Sequence, residues 1–245
     1  MAPLPKSTLT SWRIFSACLR LRSSLSSEMM DKKATWDRLY AESSTKASTF
    51  KTFEWFFGFE AAQNFIVPLL RTAARPEAAL QVLDVGCGTS ALGPSLYQRC
   101  PTPVRVTCGD ISAAAVRLMR EHVRAEAVRP GNGCSRLAFV ELDCTQLHRH
   151  FAPGSVDLIV DKGTTDALLK SKDGKRNAGL ALGQCLKALR HSGSLLQFCD
   201  EDPDARLLWL ETEAPAARVH VQEVGELRGV FYYCYRVTPV PNPRH

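Results

Sequence analysis

Three aspartates close three separate apolar runs, and together they are the first residues able to do chemistry. Asp84 lies in Val82-Leu83-Asp84-Val85-Gly86-Cys87-Gly88-Thr89-Ser90, Asp110 follows the run from Val104 to Gly109, and Asp143 follows the run from Leu137 to Leu142. Gly86 and Gly88 allow a tight turn and let a ligand approach the backbone closely. With Ala91 they also satisfy the dinucleotide pattern G-x-G-x-x-G/A, so the glycines alone do not choose between ligands. Asp84 shifts the choice. A carboxylate two residues before the first glycine suits a cationic amino group and suits an anionic pyrophosphate poorly. That favours S-adenosylmethionine over a nicotinamide cofactor, although Asp84 could also simply pin the turn.

Asp110 stands 22 positions after Gly88, where an acid can accept hydrogen bonds from both hydroxyls of a ribose. It could equally begin the next helix, for which Ser112 is the better cap. Asp143 is placed to accept from the exocyclic amine of an adenine, with the Cys144 N–H offered to the ring; a turn aspartate is the alternative. Three acids at the ends of three successive strands converge on one crevice beyond the carboxyl edge of a sheet. That conjunction is more specific than any one of them.

These acids need strands and helices to hold them. Apolar runs predict parallel strands at Gln81–Val85, Val104–Gly109, Leu137–Leu142, Val156–Val160 and Ser194–Cys199. Helices are expected after Gly88 through Arg99, over Ala113–Ala127 and over Asn177–Leu189, with a turn at His191–Gly193. Upstream, a helix is expected over Asp31–Glu42, a loop over 43–52, and an aromatic cluster leading into a helix over Phe53–Leu70. The end of the chain differs: Arg218–Val224 and Val230–Thr238 read as an antiparallel pair around Gly225–Gly229. The expected fold is α/β, a Rossmann-like seven-strand sheet with helices on both faces and right-handed crossovers.

The fourth strand ends in Asp161-Lys162-Gly163-Thr164-Thr165-Asp166-Ala167-Leu168. This stretch resembles the D/E-K-G-T-x-D-A-L signature of a group of protein-lysine methyltransferases within the seven-strand S-adenosylmethionine-dependent superfamily. The resemblance extends to Trp36-Asp37-Arg38-Leu39-Tyr40, to Trp55-Phe56-Phe57-Gly58, and to Gln197-Phe198 with Asp200-Glu201-Asp202-Pro203-Asp204. It runs from about Trp36 to Tyr235 and is closest to the mitochondrial members acting on citrate synthase, rather than those acting on elongation factor. It implies that Trp36, Tyr40 and Trp55 close over S-adenosylmethionine. It further implies that Gly86, Asp110, Ile111, Asp143, Cys144 and Lys162 line the rest of its site. Thr165 departs from the pattern, since relatives often carry Leu or Trp there. Asp161 is the first candidate to orient or deprotonate the acceptor lysine, with Glu201 or Asp202 the second. The acidic run could instead recognise a basic substrate surface. A non-catalytic scaffold that binds S-adenosylmethionine is the competing expectation.

Composition sets the remaining bounds. The 245 residues are 45% hydrophobic and 23% charged, ordinary for one globular domain. No apolar run reaches the roughly 18–20 residues a membrane span needs, so no membrane insertion is expected. Nine cysteines lie scattered with no C-x-x-C pair, which predicts free thiols and no metal site. The net charge is +6, and Lys6, Arg13, Arg20 and Arg22 carry four of that excess. The basic balance therefore belongs to the N-terminus and is not a nucleic-acid footprint. Residues 1–28 are Arg- and Ser-rich and nearly free of acid, with Trp12, Phe15 and Leu19 at helical spacing. That is the pattern of a mitochondrial transit peptide, which predicts a matrix protein whose working domain is 29–245. A monomer is the expected state.

Overall fold

A computed structural model of the chain describes residues 29–45, 50–75 and 78–240. The expected transit segment and the middle of the 43–52 loop lie outside the described residues. In chain order the elements are α1 (Lys33–Thr45), α2 (Phe59–Ala73), β1 (Leu80–Val85), α3 (Leu92–Arg99), β2 (Val104–Asp110), α4 (Ala113–Ala125) and β3 (Arg136–Glu141). A 3₁₀ helix (Cys144–Arg149) follows, then β4 (Val156–Lys162), α5 (Thr164–Leu169), α6 (Gly174–Ala188), β5 (Leu189–Cys199), α7 (Pro203–Glu213), β6 (Ala217–Leu227) and β7 (Val230–Pro239).

The strands form one seven-stranded sheet in the order β3-β2-β1-β4-β5-β7-β6. The first five are parallel, and β7 runs antiparallel to both β5 and β6. Successive strand residues face opposite sides of a sheet, and the core divides accordingly. Val82, Leu158 and Leu196 pack beneath Ile66 of α2, Leu96 of α3 and Met119 of α4. Their neighbours Leu83, Ile159 and Leu195 pack against Leu147, Leu182 of α6 and Leu210 of α7.

From β1 the chain winds outward through β2 and β3, then returns to β4 on the other side of β1. Such a switch point opens a crevice beyond the carboxyl ends of the strands. Val85 pairs with Gly109 of β2 and with Asp161 of β4. The next residues, Gly86, Asp110 and Lys162, therefore leave the sheet side by side.

The structure departs from the sequence expectations in several places. β5 begins at Leu189 rather than Ser194, because residues 190–193 bulge within the strand while Val156 pairs Leu189 and Leu158 pairs Ser194. Leu189 thus opens a strand rather than ending a helix. α2 begins only at Phe59, since Phe56 takes a positive φ of 65° that no helix tolerates. The short helix α5 was not expected after Gly163, whose φ of 90° makes the sharp exit from β4. Finally, helix α7 was not expected; the acidic run leads into it, and the Asp202 side chain caps it by accepting from the Asp204 N–H at 2.9 Å with Pro203 in the first turn.

Candidate active site

A cavity of about 440 Å³ opens at the switch point, within the usual range for small-molecule sites. Nine of the expected site residues line it: Trp36, Tyr40, Trp55, Gly86, Asp110, Ile111, Asp143, Cys144 and Lys162. Phe56, Leu142, Thr164, Asp166 and Leu168 line it as well, and Asp31 and Asn177 reach it from the outside. Asp84, Gly88, Asp161, Glu201 and Asp202 do not line it.

The glycine turn explains its own composition. Gly86 and Gly88 have φ of 65° and 52°, values that disfavour any side chain. A Cβ on Gly86 would collide with Thr164, and one on Gly88 would collide with the Tyr40 hydroxyl. Both glycines are therefore contact points, one for α5 and one for α1.

The N-terminal segment is fastened over that turn. The Phe53 N–H donates to the Thr89 carbonyl at 3.0 Å. Glu54 accepts from the Ser90 hydroxyl and the Ala91 N–H at 2.7 Å each, and from the Lys162 ammonium at 2.9 Å. Lys162 also donates to the Trp55 carbonyl at 2.8 Å. Asp37 accepts from the Ser112 hydroxyl at 2.6 Å, and Lys33 reaches Glu141 at 2.9 Å. Trp36 stacks on Tyr40 at 6.0 Å and meets the edge of Trp55 at 6.3 Å. These rings make an aromatic wall facing Asp110.

On the β2 and β3 side, the acids are held by nearby backbone. Asp110 accepts from the Gly88 N–H at 2.7 Å and the Ser112 N–H at 2.8 Å. Burial pushes its carboxyl up to about 6 against the pull of those amides. A carboxylate offers about four acceptor positions, so two remain for a ligand. Ser112, not Asp110, caps α4 by accepting from the Ala115 N–H. Asp143 caps the 3₁₀ helix, accepting from the Thr145 N–H at 2.8 Å, the Thr145 hydroxyl at 2.7 Å and the Gln146 amide at 3.1 Å. Burial raises the Cys144 thiol well above its usual range, which keeps it neutral.

Asp84 lies beneath the turn rather than in it. Burial raises its carboxyl to about 7, opposed by the Lys162 ammonium. Gly93 in the first turn of α3 packs against it, since a Cβ there would come within 3.2 Å of Asp84 Oδ2. Its expected place beside a ligand amino group is thus taken by the underside of the turn.

On the β4 and β5 side, side chains from other elements join the local donors. Asp161 accepts from the Thr164 N–H at 2.9 Å, from the Thr165 N–H and hydroxyl, and from the Gln197 amide at 3.2 Å. Gln197 also donates to the Thr165 hydroxyl at 2.8 Å. Burial raises the Asp161 carboxyl, and these bonds oppose the rise. Thr165, which departs from the family resemblance at this position, thus holds Asp161 in place. Asp161, the first candidate for the acceptor side, does not line the cavity, and these bonds occupy its carboxyl. Glu201 and Asp202, the second candidates, do not line it either: Glu201 pairs with Arg206 at 2.8 Å, and Asp202 caps α7. Arg206 is fully buried and pairs at 2.8 Å with Asp166, which does line the cavity.

Sequence reasoning passed over Glu54, Asp166 and Arg206. Glu54 carried one signal, a lone carboxylate inside an aromatic cluster. Arg206 carried none, because an Arg in a polar helix reads as a surface residue.

A sequence family described as a methyltransferase domain matches residues 76–228. The mitochondrial citrate synthase-lysine N-methyltransferase of Danio rerio is 54% identical over 219 residues, covering 87% of this chain and 86% of that protein. The chain belongs to the citrate synthase-lysine N-methyltransferase family. The human member is 38% identical over 228 residues, 91% of this chain and 93% of its own. Among solved structures, TrmN from Thermus thermophilus aligns with a TM-score of 0.53 at 20% identity, over 83% of this chain and 53% of its own. That likeness concerns the seven-strand methyltransferase fold alone. Among the described residues, all eight cysteines are free thiols, and no group of three or more His, Cys, Asp or Glu side chains could hold a metal. No described helix is long and apolar enough to cross a membrane.

Proposed function

We propose that this chain transfers a methyl group from S-adenosylmethionine to a lysine side chain of citrate synthase in the mitochondrial matrix. The observation that carries the reading is the cavity at the switch point, lined by Asp110, Asp143 and an aromatic wall, in a chain of this family. The residues present fit the donor. Gly86 leaves room for a ligand against bare backbone, and Asp110 keeps acceptor positions for ribose hydroxyls. Asp143 and the Cys144 N–H stand where an adenine edge can be read. Trp36, Tyr40 and Trp55 offer ring faces to a sulfonium, worth roughly 0.5–2 kcal/mol. Asp84 and Gly88 act indirectly, by shaping the turn.

When bound, the donor supplies an electrophilic methyl on a good leaving group, so no covalent enzyme intermediate is needed. The protein contributes positioning and desolvation. Lys162 and Glu54 hold the N-terminal cover against the turn, which excludes water from the methyl. A free lysine has a pKa of about 10.4, and the apolar mouth lowers it by disfavouring the charged form. Residues 1–28 are read as the mitochondrial address and the rest as the working domain, in keeping with the mitochondrial relatives. The protein acts as a monomer on a protein substrate and takes no metal.

The test is direct. Incubation of the protein with labelled S-adenosylmethionine and citrate synthase should label one lysine, and Asp110→Ala should not. Labelling of a different mitochondrial protein in an extract would keep the reaction and discard the substrate. Donor binding with no labelled protein at all would favour a scaffold.

A further inference from the structure

Four aspartates line the cavity, and their partners differ. Asp110 and Asp143 are tied to backbone amides and to the 3₁₀ helix. Asp31 gives one oxygen to the Lys32 ammonium at 2.9 Å and the Asn177 amide at 3.3 Å; its other oxygen is buried without a partner. It sits on the segment ahead of α1, outside the sheet. Asp166 sits in the first turn of α5, two residues after Thr164, whose hydroxyl donates to the Val85 carbonyl beside the glycine turn at 2.9 Å. Asp166 Oδ1 accepts from Arg206 at 2.8 Å, and its Oδ2 has no comparable tie to the wall.

We propose that Asp166 accepts the proton of the incoming lysine ammonium, and that Arg206 is the positioning residue that holds Asp166 for it. This rests on the lysine-methyltransferase reading. The Asp166 carboxylate takes one proton and leaves a neutral amine. The amine lone pair forms the new N–C bond while the C–S bond of the sulfonium donor breaks and its electron pair stays on sulfur. The product amine keeps the positive charge, and Asp166 returns its proton to solvent.

The surroundings suit that duty. Burial raises the Asp166 carboxyl to about 7, opposed by Arg206 from α7 and Lys170 from the end of α5, and reinforced by Asp161 from β4 and Asp200 after β5. An effective general base has a pKa near the working pH. Arg206 is in turn shared with Glu201 at 2.8 Å and lies over the Trp209 ring at 5.5 Å. The acidic run after β5 therefore reaches the cavity through Arg206 rather than directly.

Four variants test this: Asp166→Asn, Arg206→Gln, Glu201→Gln and Asp31→Asn. Methylation of citrate synthase is followed against pH at saturating donor, with donor affinity measured by calorimetry and aspartate carboxyls titrated by ¹³C NMR without donor. The wild type should gain turnover as Asp166 ionises, with a midpoint that coincides with the Asp166 titration seen by NMR, expected near 7. Asp166→Asn should lose at least about 100-fold in kcat, keep its donor affinity, and lose both the acid limb and that resonance. Arg206→Gln should move the limb to higher pH by removing the opposing cation. Glu201→Gln, at a half-exposed position, should move it lower by leaving Arg206 wholly to Asp166. An Asp166→Asn kcat within about threefold of wild type, or a limb lost in Asp31→Asn instead, overturns the proposal. A wild type that binds donor but leaves citrate synthase unmethylated defeats the reading beneath it, and the proposal falls with it. A wild type that methylates while Asp166→Asn does so equally defeats the proposal alone.

Discussion

The two flanks of β1 hold their carboxylates by different means. Toward β2 and β3, Asp110 and Asp143 are bound by amides at Gly88, Ser112 and Thr145, all belonging to the turn or to the next few residues. Toward β4 and β5, Asp161 adds Gln197, 36 residues away, to its local Thr164 and Thr165 donors, and Asp166 is bound by Arg206, 40 residues away. The first flank is wired by the backbone of strand ends and turns, the second also by side chains delivered by other elements. The first suits a part of the ligand that must stay put. The second suits a carboxylate whose proton affinity must be tuned, because each distant partner is an independent control on it.

Substitutions can break this contrast, beginning with the locally wired flank. Asp110→Ala leaves two buried N–H groups unpaired, at about 1–3 kcal/mol each, and removes the ribose acceptor. Calorimetric titration with S-adenosylhomocysteine should show a loss of affinity of at least about 100-fold. A value within about threefold of wild type would place the ribose elsewhere.

Glu54→Gln comes next and tests the distant wiring. Lys162 has a side chain only 5% exposed, and losing one partner of a buried pair costs about 3–5 kcal/mol. Urea unfolding should show a drop of about 3 kcal/mol, toward the low end because Lys162 keeps the Trp55 carbonyl. A drop under about 1 kcal/mol would mean the cover is held by the aromatic wall alone.

Asp84→Asn probes the buried acid between the flanks. Its carboxyl is raised in the folded protein to about 7, so the folded state holds a proton that the unfolded state releases near pH 4. The stability this contributes is complete below the unfolded value and is lost as pH rises toward 7. Relative to the variant, the wild type should lose up to about 1.4 kcal/mol per pH unit between about pH 4 and 7. Parallel stability curves would show that Asp84 ionises freely in the fold.

The smallest effect belongs to Asp202→Ala. Loss of the α7 cap should cost about 1 kcal/mol in thermal unfolding and leave donor affinity unchanged, since Asp202 touches only its own helix. A marked loss of affinity would return Asp202 to the ligand.

The contrast also explains what was legible beforehand. Asp110 and Asp143 could be read because each ends a strand just before a turn, with amide partners in the next few residues or, for Asp110, in the glycine turn after the neighbouring strand. Gly86 and Gly88 could be read for the same reason, though not that Thr164 and Tyr40 are what make them indispensable. Asp161 looked catalytic because it ends a strand at the crevice; Thr165 and Gln197, each on a different element, consume it. Glu201 and Asp202 stood as second candidates to act on the lysine; α7 turns them to Arg206 and to its own first turn.

Periodicity and turn chemistry are local, so the amino-acid order by itself determined the strand-helix alternation, the parallel sheet with its antiparallel end, the glycine turn and the acids beside it. Which carboxylate faces the cavity with an oxygen to spare was decided only by tertiary packing. That choice depends on which distant cation, amide or hydroxyl reaches each acid, and burial makes every such partner count: a buried charge must find one or give up its charge.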